Sequence, residues 1–114
     1  MIKKSEDMRK EIRSNVHGGN GDVSLLHFLE KEEMAGKSNF AARMSIPVGG
    51  AIKEHVHGSD VEIFIIESGT ALFNDNGTLR TLGAGDAVFT GPDEMHAISN
   101  AGDTVLEFIG IIIT

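Results

Sequence analysis

Glycine interrupts the chain at short intervals, and between the interruptions apolar and polar residues alternate. In residues 40–46, Phe40, Ala42, Met44 and Ile46 fall on one side of an extended segment, and Ala41, Arg43 and Ser45 fall on the other. A period of two is the mark of a strand with one buried face. Residues 23–29 make a second candidate, and residues 51–57 a third, entered through a Pro47-Val48-Gly49-Gly50 turn. Residues 61–67 are rich in β-branched side chains and Phe. Segments 70–74 and 78–82 flank Asp75-Asn76-Gly77, a hairpin signal because Asn-Gly accepts the positive φ of tight turns. After Gly83-Ala84-Gly85-Asp86, segments 87–90, 95–99 and 104–113 complete the set. Many short strands closely spaced predict a sandwich or barrel. Two places are expected to be helical. Residues 5–13 have Ser5 as N-cap and Met8 and Ile12 on one face, and residues 30–34 are long enough for one turn.

The 114-residue length fits one domain with a real core, here expected over 1–114, with an N-terminal arm over 1–20 and the barrel from about residue 21 onward. Charge narrows the functions. With 17 Asp+Glu against 10 Lys+Arg, a net charge of -7 argues against nucleic-acid or anionic-membrane partners. There are no cysteines, so disulfides and thiolate metal sites are excluded. The charged opening residues lack the apolar stretch of a secretory signal, and no run is long enough to span a bilayer, so a cytoplasmic location is expected.

The candidate chemistry lies in His55-Val56-His57, Glu62 and His96. Alternate strand residues share a face, so His55 and His57 stand side by side if the segment is extended. A short turn at Gly58-Ser59-Asp60 would return Glu62 beside them. Phe64 and Ile66 share the parity of Glu62, which leaves one carboxylate on an otherwise apolar face. Burying it alone is costly, and a cation would relieve the cost. A closed barrel would bring His96 across. Imidazole nitrogens and a carboxylate oxygen suit divalent transition metals. His17 and His27 are read as surface or satisfied side chains. Lys53, by its parity with His55, is expected at the barrel mouth, and Arg43, on the polar side of its strand, is a candidate partner for a substrate carboxylate.

Gly49, His55, His57, Glu62 and Gly69 stand at the spacing of the first motif of the cupin superfamily, and Gly85, His96 and Asn100 at that of the second. The chain resembles a small single-domain cupin. One departure is the Pro-x-Gly turn of the second motif, where this chain has Gly91-Pro92-Asp93. The resemblance implies an all-β fold, a small antiparallel β-barrel or double-stranded β-helix. It implies one divalent transition metal (Fe, Mn, Ni, Co, Cu or Zn) held by His55, His57, Glu62 and His96. Gly49, Gly69, Gly85 and Asn100 would be turn or loop residues, and the chain a homodimer.

Function is less constrained, because one fold hosts many activities. The first expectation is a metal-dependent enzyme acting on a small oxygenated metabolite: a carboxylate, a keto-hydroxy compound or a sugar derivative. The alternatives are a non-catalytic module that binds or senses a small ligand, and a structural dimeric barrel tied by its metal. A cavity filled by Phe64, Ile66 and Phe89 would favour the structural reading. The C-terminal segment, with Val105, Leu106, Phe108, Ile109, Ile111, Ile112 and Ile113, is apolar on both faces and calls for a cover, a second subunit or the strand over 23–29.

Overall fold

The computed structural model describes residues 1–114. Its strands are β1 (Arg9–Ser14), β2 (Asp22–His27), β3 (Phe40–Ile46), β4 (Ala51–Val56), β5 (Val61–Ser68), β6 (Ala71–Asp75), β7 (Thr78–Leu82), β8 (Ala87–Thr90), β9 (Met95–Asn100) and β10 (Leu106–Ile113). They form a 6-stranded sheet, in the order β1-β2-β3-β10-β5-β8, and a 4-stranded sheet, β4-β9-β6-β7. Every pairing is antiparallel. The all-β fold expected from the strand spacing, and the antiparallel cupin-type arrangement that the resemblance implied, are what is observed. No helix is long and apolar enough to cross a membrane.

The alternation predicted for residues 40–46 is observed from residue 42 onward, whereas Ala41, expected on the polar side, is buried as well and Phe40 is only half-buried. Ala42, Met44 and Ile46 are buried, and Arg43 and Ser45 are not. Inward side chains of both sheets, among them Val23, Ile46, Ile66, Phe73, Ile98, Leu106 and Phe108, close one core. Gly69 explains one motif glycine. Its φ is +87°, and a Cβ there would stand 2.8 Å from the Val105 carbonyl oxygen, so the turn has no room for a side chain. At the Gly91-Pro92-Asp93 departure, Asp93 itself takes φ 60°, a left-handed conformation that Asp accepts more readily than most residues. Asn100 ends β9. Its amide donates to the carbonyls of Ile46 (3.0 Å) and Thr104 (2.8 Å) and its side-chain oxygen accepts from Gly102 N–H (2.9 Å), fixing the approach to β10.

The single turn expected near residues 30–34 is a 3₁₀ turn, Lys31–Glu33. The helix expected over residues 5–13 is not formed. Ser5–Asp7 is a 3₁₀ turn, and Arg9–Ser14 is a strand paired with β2 along its whole length. Met8 and Ile12 find no apolar surface for a helix to cover, and Ile12 is 68% exposed. As a strand, the segment instead caps the otherwise open edge of β2. It also places Glu11 against His27, Oε1 to Nε2 at 2.7 Å. His27 is thereby a satisfied buried side chain, as read from the sequence.

Glu11 gives a pH prediction. The Arg13 guanidinium, followed by His27, pulls the Glu11 carboxyl from 4.5 down to about 2. A depressed carboxyl contributes stability above its unfolded value, and that contribution disappears as pH falls through the folded one. Glu11→Gln should therefore reduce the loss of thermal stability between pH 4.5 and about 2, measured by melting at stepped pH. An unchanged acid profile would remove the β1–β2 ion cluster from the account.

Candidate metal centre

β4 and β9 lie side by side, and a bulge in β4 decides what faces inward. Ile52 pairs with Ile98 and His55 with His96, so three steps along β4 match two along β9. The extra residue flips the parity. Ile52 and His55 both point into the barrel, while Lys53 and Glu54 are exposed. Lys53 thus does not share the face of His55, contrary to the expectation from simple alternation. Arg43 is also outside the site: its guanidinium donates to Glu67 at 2.6 Å on the outer sheet face.

The four side chains singled out by spacing do converge. Their ligand atoms all lie within 4.8 Å of one another. His96 Nε2 stands 3.0 Å from His57 Nε2 and 3.0 Å from His55 Nε2. Glu62 Oε1 is 3.1 Å from His57 Nε2 and 3.3 Å from His96 Nε2. His57, Glu62 and His96 are buried, and His55 is half-buried at the cavity edge. Behind them, the Phe64 ring stacks on His96 at 5.1 Å and Phe73 meets it edge-on at 5.6 Å.

The outer nitrogens orient the rings. His55 Nδ1 donates to the Lys53 carbonyl at 2.9 Å, and a carbonyl only accepts, so that nitrogen carries the proton. The Nε2 of neutral His55 is then a bare lone pair facing the cluster. His96 Nδ1 is 2.7 Å from Thr90 Oγ1, which is fully buried. His57 Nδ1 faces Asp60 Oδ1 at 3.5 Å. Partners of this kind hold metal-ligating imidazoles in position.

Charge supports a cation. Burial holds His55 and His96 neutral, each pulled down to about 4. Burial also pushes the Glu62 carboxyl up to about 7, with Asp60 adding to the rise against the pull of His57. Three imidazole nitrogens and one carboxylate oxygen thus face a common point, a donor set that a cation would satisfy. Donors bound cis to one ion at about 2.1 Å stand roughly 3.0 Å apart, close to the spacing of these nitrogens. The residues fit a divalent transition metal.

A cavity of about 330 Å³ opens over the cluster, lined also by Arg13, Val16, His17, Phe40, Met44, Ile52, Asp60, Phe64 and Ile112. Phe64 and Ile66 are buried as expected, but Phe89 is 60% exposed. Register puts Phe89 opposite Ile63 on the outer face, so it does not fill the cavity. His17 is not a bystander: its ring lies flat on His55, with centroids 3.9 Å apart and 8° between planes. Arg13, His17 and Thr90 carry no motif signal. Arg13 and His17 reach the site only because β1 folds as a strand, and Thr90 because β8 runs beside β5.

A cupin-domain family model matches residues 42–112. This chain is a cupin. Among its relatives is an oxalate-binding protein of Thermotoga maritima, 41% identical over 113 residues, covering 99% of this chain and 93% of the relative. A crystal structure of a predicted oxalate decarboxylase of Thermotoga maritima superposes with a TM-score of 0.93 at 41% identity, over 99% of this cupin and 98% of that chain. KdgF from Halomonas matches with a TM-score of 0.69 at 15% identity, over 91% of this chain and 88% of that one, a likeness of fold alone.

Proposed function

We propose that this cupin holds one divalent transition-metal ion on His55, His57, Glu62 and His96 and uses it to take up a small oxygenated carboxylic acid, with oxalate as first candidate. The observation that carries the reading is the convergence of the four ligand atoms, within 4.8 Å, beneath an open cavity. The 41%-identical relative named for oxalate binding supplies the ligand class. A bound divalent ion supplies Lewis-acid attraction for a carboxylate or keto-hydroxy group. The chain's own residues do the rest. Val16, Phe40, Met44, Ile52, Phe64 and Ile112 give the cavity its apolar wall, and Thr90, Asp60 and the Lys53 carbonyl hold the imidazoles in aim. The volume is at the small end for ligand pockets, which suits a compact acid. Open space over the cluster favours a ligand-handling role over a purely structural metal.

In the enzymatic form of this reading, a side chain must also move a proton beside the ligand. His17 and Asp60 are the titratable lining groups, outside the donor set, able to do so. The test is metal analysis of untagged protein prepared anaerobically, followed by oxalate titration by calorimetry, with product analysis on the same samples. One metal per chain, and oxalate heat only in the loaded protein, are expected. Equal oxalate binding with and without metal would overturn the reading, and product formation would select the enzyme over the binding module.

We propose further that residues 1–114 act as one cupin unit and that two copies pair through the outer face of the 6-stranded sheet. Register puts Ile109 and Ile111 of β10 beside Ile65 and Ile63 of β5, facing outward with Phe89. Ile112 pairs with Glu62 and lines the cavity, so it faces inward. The charged neighbours Arg43 and Glu67 neutralise each other, which lets two chains of net charge -7 approach on this face. Ile111→Asp should convert a dimer to a monomer in light scattering at micromolar concentration without changing metal content. A monomeric wild type would overturn the proposal.

A further inference from the structure

The cavity has lining groups that a metal-binding role leaves over. Apart from the donor set and Asp60, its polar side chains are Arg13 and His17. Both precede residues 42–112, the span that the cupin-domain model matches. They belong to β1 and the turn after it, and neither is among the four candidate ligands.

Each is held in place by contacts of its own. Both carboxylate oxygens of Glu11 grip Arg13, accepting from Nε at 2.9 Å and Nη2 at 3.2 Å. Glu11 is itself anchored by His27 at 2.7 Å. No hydrogen bond engages Nη1 of Arg13. Its guanidinium carbon lies 5.8 Å from the ring centroid of Phe40, a neighbour in the lining. Arg13 is the one Lys or Arg of the cavity wall.

His17 sits on a turn built from left-handed residues: Asn15 at φ 52°, His17 at φ 51° and Gly18 at φ 81°. Conformations of this kind persist where the surroundings hold them. The surroundings here are specific. Asn15 N–H donates to the Gly21 carbonyl at 3.1 Å, and Ala51 N–H donates to the Asn20 carbonyl at 3.0 Å, tying the turn to β4. Gly19 lies so close to Ala51 that an added Cβ would stand 2.0 Å from its carbonyl oxygen. The result is the flat stack of His17 on His55. No hydrogen bond engages either His17 ring nitrogen.

We propose that Arg13 and His17 form the ligand-selecting wall of this cupin, pairing with the part of a small diacid that the metal centre does not hold. Arg13 answers the second carboxylate with the end-on edge of its guanidinium, Nη1 and the second N–H of Nη2, since Glu11 already takes the Nε/Nη2 edge. His17 hydrogen-bonds an oxygen of the same ligand and fixes its orientation. The site thereby distinguishes a diacid from a monoacid of similar size. This inference rests on the proposed uptake of a small carboxylic acid at the metal centre.

The test uses the full chain loaded with Mn²⁺, with metal content measured for every variant, and calorimetric titration of oxalate, glycolate and acetate. Arg13→Gln should weaken oxalate by about tenfold or more while acetate changes by less than about twofold. Arg13→Lys, which keeps the charge but loses the fork, should fall between. His17→Asn retains a residue that accepts the left-handed backbone and should weaken oxalate by roughly three- to tenfold. Metal content should stay at the wild-type level throughout. Oxalate binding within about twofold of wild type in Arg13→Gln and His17→Asn overturns the inference alone, as does equal weakening of all three acids. A Mn²⁺-loaded wild type that binds none of the three overturns the functional reading, and this inference with it.

Discussion

The double substitution His55→Ala/His57→Ala should bring the metal content of the purified protein to near zero and leave a cooperative melt. Loss of a partner that merely orients a ligating histidine already weakens metal affinity by about 10–100-fold, and removing two ligands outright costs more. The remaining pair, Glu62 and His96, stand 3.3 Å apart and offer too few donors for a stable transition-metal shell. The barrel should survive, because its stability comes from buried apolar surface. His55 is half-buried at the edge and belongs to no core cluster. Atomic-absorption metal content and a thermal melt of the same sample decide the matter. Full metal content would contradict the ligand assignment. Loss of the cooperative transition would make the ion a structural strut, and the cavity above it would need another explanation.

The largest loss of stability is expected from Phe108→Ala. Phe108 is fully buried in the middle of β10, the strand shared by β3 and β5. Its ring packs on Phe64 at 4.8 Å, and Phe64 in turn stacks on His96 at 5.1 Å. Truncating a buried Phe to Ala removes its transfer free energy and leaves a cavity, together about 3–5 kcal/mol. The space cannot close cheaply, because β10 is hydrogen-bonded on both sides. Denaturant unfolding of wild type and variant measures the difference. The variant should also bind metal more weakly, since Phe64 loses one of the surfaces that holds it against His96. A cost under about 1 kcal/mol would mean that the core repacks, and that the ring stack does not transmit from core to site.

Both predictions depend on features of unequal legibility. Three members of the donor set were legible because they are local. His55 and His57 are one residue apart, and Glu62 follows within a short turn, so strand parity alone puts them on one face. His96 needed the resemblance, since nothing within its own segment says which strand it will pair with. The period-two pattern in residues 40–46 was legible for the same local reason. The β4 bulge was not. It depends on how β4 meets β9, and one unmatched residue reversed the expected direction of Lys53. The helix expected at residues 5–13 failed similarly. Met8 and Ile12 satisfy a helical spacing, but the free edge of β2 offers a full ladder of hydrogen bonds to an extended segment.

By itself, then, the order of residues determined an all-β, cysteine-free, acidic chain and put His55, His57 and Glu62 on one face, because alternation, turn chemistry and ligand spacing act over a few residues. The tertiary structure decided which of the apolar residues of β10 face the cavity and which face outward. It decided that His96 joins the other three side chains, that Phe89 lies outside, that Arg43 is spent on Glu67, and that Arg13 and His17 line the cavity over the cluster. Those outcomes follow from register and sheet order, which are set by the packing of segments distant in sequence, and no local pattern encodes them.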